Sequence, residues 1–152
     1  MLPGVAVSIY LLLLVSVSGA QSKPPEQIAR EMLVLALDNI QRARCEGTQL
    51  CAPATAAEKA NPPLTVEEAQ RIIRRATLSA VAERCGLDWQ RLNFLPMMAY
   101  WRTTQKKPER QMALVALLHG IMQSRVEQAV ASRPSCTEQE RRDLESRLPF
   151  MP

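Results

Sequence analysis

The stretch TVEEAQRIIRRATLSAVAERCG, residues 65–86, carries its own start and stop. Thr65 with Glu68 three positions later is a capping box: the hydroxyl accepts an orphan N–H of the first turn and the carboxylate returns to the cap N–H. Gly86, just past Cys85, suits the left-handed residue that closes a helix. Between these signals Val66, Ala69, Ile73, Ala76 and Ala80 recur at helical spacing, and Leu78, Val81 and Cys85 form a second stripe. Two apolar stripes predict a helix covered on more than one side, with Arg71, Arg74 and Arg75 on its solvent edge.

Upstream, Glu26 to Arg44 repeats the helical period through Ile28, Met32 and Leu35 and an adjoining stripe of Leu33, Ala36, Ile40 and Ala43. Residues 45–64 mix Gly47, Pro53, Pro62 and Pro63 with small polar residues, which predicts an irregular connection pinned by Cys45 and Cys51. Downstream, Pro96 decides the next element: having no N–H, it fits only the first turn of a helix. A short turn over 88–92 and a helix from about Asn93 to Arg102 follow. Pro108-Glu109 opens a long helix to about Ser132, with Met112, Val115, His119, Met122, Val126 and Ala129 on one seam. A second capping box, Thr137 to Glu140, starts a charged helix ending near Leu148. No internal repeat and no strand signal emerges. The predicted fold is all-α, a small disulfide-stapled bundle of about four main helices plus a short C-terminal helix.

Residues 1–20 are uncharged and largely apolar. Their hydrophobic run, Ile9 to Val17, ends in Ser18-Gly19-Ala20, whose small residues suit signal peptidase, so a mature single domain over 21–152 is expected. The missing Lys or Arg near Met1 departs from the pattern and keeps an uncleaved membrane anchor as the alternative. Export to a periplasmic or extracellular space suits the even set of Cys45, Cys51, Cys85 and Cys136. Four cysteines allow three connectivities. Pairing 45 with 51 and 85 with 136 closes one short loop and clamps two distant helix ends; spacing leaves the other two open.

The net charge of +4 is spread as 0 over 21–60, +1 over 61–100 and +3 over 101–152. An excess this modest falls short of the basic stripe of a nucleic-acid binder and permits an acidic protein or an anionic envelope component. Arg102, Lys106, Lys107 and Arg110 concentrate it, offset by Glu109. Beside them lie Trp89, Phe94, Met97, Met98, Tyr100 and Trp101, holding four of the five aromatics beyond residue 20. Filling the core is the default role of such residues, and an aromatic-Met surface with a basic rim is the functional one. The expected binding residues are Trp89, Phe94, Met98, Tyr100 and Trp101 as anchors with Arg102, Lys106, Lys107 and Arg110 as the rim. Membrane contact would come only through that rim or an uncleaved N-terminus.

Chemistry has thinner support. Asp88 suits a helix cap, and pairing it with Glu83 as acid and base of a small hydrolase is the enzymatic alternative. His119, the only histidine, reads as buried and hydrogen-bonded, with pH sensing as the other role, and Gly120 beside it fits either a close helix approach or an ordinary tolerated glycine. No HxxxH, CxxC, P-loop or GxSxG pattern occurs, so neither a metal nor a cofactor is expected. A non-enzymatic exported binding module is the leading expectation, with an envelope stress chaperone or inhibitor that exposes the aromatic segment conditionally as the other binding reading.

Overall fold

The computed structural model describes residues 23–152, so the apolar segment read as an export signal lies outside the described residues. Helix α1 spans Pro25–Asp38, strands β1 and β2 Arg44–Glu46 and Gln49–Leu50, α2 Ala56–Ala60 and α3 Val66–Arg84. Helices α4, α5 and α6 follow at Leu95–Thr103, Glu109–Val130 and Glu138–Arg147. The all-α reading holds, with one two-stranded ribbon added.

The first predicted helix is shorter than expected. At Asn39 the side chain donates to the Leu35 carbonyl (2.9 Å), so a side-chain amide takes an acceptor the next turn would use. A 3₁₀ turn over Ile40–Arg42 leads into the ribbon. Arg44 faces Leu50 and Glu46 faces Gln49 in antiparallel register, Gly47 supplies φ +53°, and Cys45–Cys51 ties the strands together. Arg44-Cys45-Glu46 has neither alternation nor β-branched residues, so the cystine and the glycine turn make this hairpin, not propensity. Beyond it, Thr55 and Glu58 form a further capping box that starts α2 inside the stretch read as irregular.

Helices α3 and α5 form the spine, with α1 packed across both. Thr65 and Glu68 cap α3 as predicted, and Gly86 follows it at φ +68°. The buried face of α3 runs through Ala69, Ile72, Ala76, Ser79 and Ala80, while Val66 and Ile73 are half-buried. Small side chains along that line let α5 approach with Leu114, Val115, Leu118 and His119. Gly120 plays no part in the approach: it is exposed, with open space where a Cβ would stand. Burial of sixteen apolar side chains larger than alanine or cysteine, at roughly 1.5–3 kcal/mol each, sets the scale of the driving force that opposes chain entropy.

The second cystine, Cys85–Cys136, joins the end of α3 to the start of α6 with Cα atoms 5.1 Å apart. Helix α6 is otherwise highly charged, and only Leu144 and Leu148 of its neighbourhood are buried, against Ala82 and Leu87. Both cystines fit an oxidising environment, and among the described residues no helix is long and apolar enough to cross a membrane.

Candidate functional site

Between α3 and α4 the chain makes one π-helical turn, Gln90–Phe94, closed by the Leu95 N–H donating to the Gln90 carbonyl. Extra residues in a helical turn redirect side chains, and here Asn93 is driven fully inside. Its amide donates to the Arg75 carbonyl (2.8 Å) and the Ser79 hydroxyl (2.7 Å), and its oxygen accepts from Arg75 Nε. Ser79 Oγ lies 3.1 Å from His119 Nε2. The imidazole is flanked by the rings of Phe94 at 4.8 Å and Trp89 at 6.0 Å. Burial, then the nearby Arg75 charge, pushes the His119 pKa down to about 4, so the ring is neutral near pH 7. A serine hydrogen-bonded to a histidine has the components of a nucleophile and its base. With Ser79 at 0 % and His119 at 1 % exposure, no substrate reaches this pair, and the network locks the turn to α3 and α5.

The same arginine holds the C-terminus. Arg75 was expected on the solvent edge of α3; instead its guanidinium is partly buried, donating to the carbonyls of Arg147 (3.3 Å) and Leu148. It also covers the Phe150 ring at 5.4 Å, whose other neighbour is Tyr100 at 5.5 Å. Pro96 completes the arrangement. Lacking an N–H, it cannot bond the Leu92 carbonyl four residues back, and the Phe150 N–H fills that acceptor at 3.0 Å.

These contacts fix where each expected binding residue stands. Trp101 is 1 % exposed and lies in the core, its indole N–H without an acceptor, so it is not a surface anchor. Met97 is buried with it. Trp89, Phe94, Met98 and Tyr100 are half-buried, and Leu95 among them is 58 % exposed. The rim is divided. Lys107 pairs with Glu68 at 2.6 Å and lies over the Trp101 ring, and Arg110 pairs with Glu58 at 2.7 Å and donates to the Ala52 carbonyl. Arg102 meets Glu109 at 3.4 Å on the surface, while Lys106 is exposed in a left-handed conformation, φ +55°.

The two carboxylates considered for acid–base work have separate partners. Asp88 accepts from the Arg91 N–H and side chain, which lowers its pKa as befits a cap. Glu83 accepts from Gln123 (2.8 Å) and shares a hydrogen bond with Glu127, whose pKa is raised by burial first and by that neighbour next. Glu83 and Glu127, without Asp88, border a shallow cleft of about 390 Å³ that Arg84 and Arg133 also line. Among the described residues no group of acidic, histidine or cysteine side chains is arranged to hold a metal ion.

The residues that sequence reading passed over are Ser79, Asn93, Leu148 and Phe150, together with the inward role of Arg75. Two signals pointed to them: Pro96 four positions after Leu92, and the apolar Leu148-Pro149-Phe150 closing an otherwise charged helix. No protein-family model, curated protein or solved structure matches the chain.

Proposed function

We propose that this chain is a small, exported, non-enzymatic binding module that engages a protein partner through the outward side of the 89–101 segment. The observation that carries the reading is Leu95, exposed at 58 % in the middle of the half-buried Phe94, Met98 and Tyr100. Half-buried aromatic and Met side chains around an exposed aliphatic one give apolar contact area on a surface whose shape the core already fixes. Arg102 in the last turn of α4 and Lys106 three residues beyond its end favour an acidic partner, chiefly by speeding encounter. Residues 1–20 act as the export signal, and the two cystines brace a domain that works outside the cell's reducing interior.

A photo-crosslinking residue at Leu95 tests the surface, with Val34, an exposed apolar residue on α1, as the control. In the native compartment an adduct of discrete mass is expected from position 95 and none from 34; equal or absent labelling at both positions removes the reading. Export is tested separately by intact mass, which should equal Gln21–Pro152 less four hydrogens.

A second reading, an envelope chaperone exposing the segment in acid, is favoured by His119, because a protonated imidazole between Trp89 and Phe94 would loosen the π turn. It requires hydrophobic-dye binding that rises as pH falls below about 6.5 and is lost in His119→Gln.

A further inference from the structure

The cleft at the C-terminal ends of α3 and α5 carries acids where the helix dipole favours cations. Glu83 stands in the last turn of α3 and Glu127 in the last turn of α5, which holds no basic residue. A carboxylate at either place works against the partial negative charge of the terminal carbonyls, so neither acid is there for the helix's sake. Among the described residues neither makes an ion pair; each is met by the other and by the Gln123 amide. Two facing acids with no cation between them repel, and the raised pKa of Glu127 has that repulsion as its second cause after burial.

Guanidiniums with donors left over line the same cleft. Arg84 donates to the Pro134 carbonyl (2.6 Å) and lies 3.9 Å from Glu140, while its buried Nε–H has no acceptor. Arg133 is exposed, and its side chain has no partner among the described residues. Ala80, Val130 and Ala131 add apolar lining and Ser135 a hydroxyl. At about 390 Å³ the cleft has room for about a dozen groups the size of a water, each about 30 Å³. None of its residues belongs to the 89–101 segment.

We propose that this cleft binds a short zwitterionic peptide of dipeptide size, with its ammonium group between Glu83 and Glu127 and its carboxylate on Arg133 beside Arg84. The ammonium is the cation that the two acids lack and that both helix ends favour. The carboxylate takes charge-assisted hydrogen bonds from guanidinium donors that have no other use. An inorganic cation would satisfy only the acids, and an inorganic anion only the arginines. A free amino acid holds both charges on one carbon and fills less of the volume, whereas a dipeptide sets them a peptide unit apart. Small apolar side chains on that dipeptide suit Ala80, Val130 and Ala131. The site goes beyond the protein-binding surface around Leu95 and does not depend on it.

The test is a calorimetric titration of the chain, both cystines formed, with L-alanyl-L-alanine at neutral pH and low salt. Two blocked forms accompany it: N-acetyl-alanyl-alanine, which lacks the ammonium, and alanyl-alaninamide, which lacks the carboxylate. The free dipeptide is expected to saturate, and each blocked form to bind about tenfold or more weakly, because a charged group of the cleft is left without its partner. Glu83→Gln/Glu127→Gln keeps the shape and the Gln123 contact, so its circular dichroism should stay native while dipeptide binding is lost. Arg133→Met, at an exposed position, should weaken the free dipeptide about tenfold and leave the amide form unchanged. No saturation by millimolar dipeptide overturns the proposal, as does equal binding of the acetylated form or undiminished binding by a folded Glu83→Gln/Glu127→Gln chain. Saturation by calcium chloride or by sodium phosphate, with no response to the dipeptide, would make the cleft an inorganic ion site and overturn the peptide assignment. Crosslinking from Leu95 is unaffected by any of these outcomes, so the two sites fail separately.

Discussion

The two ends of the described chain are fastened by the same parts used differently. At the N-terminal side a hairpin is closed by Cys45–Cys51 and gripped by Arg110, which donates to the Ala52 carbonyl and pairs with Glu58. At the C-terminal side a helix is tied by Cys85–Cys136 and its tail gripped by Arg75, which donates to the carbonyls of Arg147 and Leu148. Arg110 meets a carboxylate, whose pKa it draws down to about 2 together with the Thr55 N–H. Arg75 meets neutral oxygens. Both guanidiniums make charge-assisted hydrogen bonds, but the carboxylate at the first end can turn to water if its arginine is lost, whereas the oxygens served by Arg75 lie in partly buried surroundings. The grip on the C-terminus is therefore the more costly of the two to lose.

The cystines offer the largest test of that contrast. In the chain-entropy view, opening the 51-residue separation of Cys85–Cys136 costs about 4 kcal/mol and opening the six-residue separation of Cys45–Cys51 about 2 kcal/mol. Urea titrations of Cys85→Ser/Cys136→Ser and of Cys45→Ser/Cys51→Ser should rank in that order. Equal losses would mean that α6 is anchored mainly by Leu144, Leu148 and the Arg75 contacts.

Next in size is the acid response of the polar network beneath the tail. His119 titrates near 4 folded and near 6.5 unfolded, so between these values the unfolded chain binds more protons and stability must fall as pH falls. The contribution is complete above about pH 6.5 and reduced by about 3 kcal/mol at pH 4. His119→Gln should flatten that part of the profile. A wild-type midpoint level from pH 7 to pH 4.5 would contradict a buried neutral imidazole.

Replacing each arginine compares the ends directly. Arg75→Met strands Asn93 Oδ1 and the Leu148 carbonyl in partly buried surroundings and should cost about 2–3 kcal/mol. Arg110→Met leaves Glu58 free to turn to water, and about 1 kcal/mol is expected from chemical denaturation. The reverse order would make the N-terminal hairpin the more tightly integrated end.

Much of this architecture was legible because its signals are local. Thr65 to Glu68 and Thr137 to Glu140 announce helix starts within four residues, and Gly86 and Pro108 mark ends and beginnings by backbone geometry alone. Thr55 to Glu58 has the same spelling and went unread only because prolines and small residues surround it. The C-terminal end resisted for a different reason. An arginine at helical spacing defaults to solvent, and nothing near Arg75 says that the groups it serves lie 18 and 73 residues away, in Asn93 and Leu148. Aromatic content alone likewise could not separate Trp101, sealed in the core, from Tyr100, one residue back and half-buried beside the Phe150 ring.

The smallest effect decides the most about mechanism. Gly120 sits mid-α5 with open space at its Cβ position, so Gly120→Ala should stabilise the fold by about 0.5–1 kcal/mol through helix propensity alone, touching neither docked end. Core amides of α3 and α5 that exchange only on global unfolding should then slow by about two- to fivefold. If the tail releases by itself, the Phe150 amide opens through a local event that Gly120→Ala does not reach, and its exchange rate stays where it was. Should Phe150 slow by the same factor as the core, the C-terminus detaches only when the whole domain unfolds. The C-terminus would then belong to the same cooperative unit as α3 and α5, the outcome expected from the fully buried Leu148 side chain that holds it there.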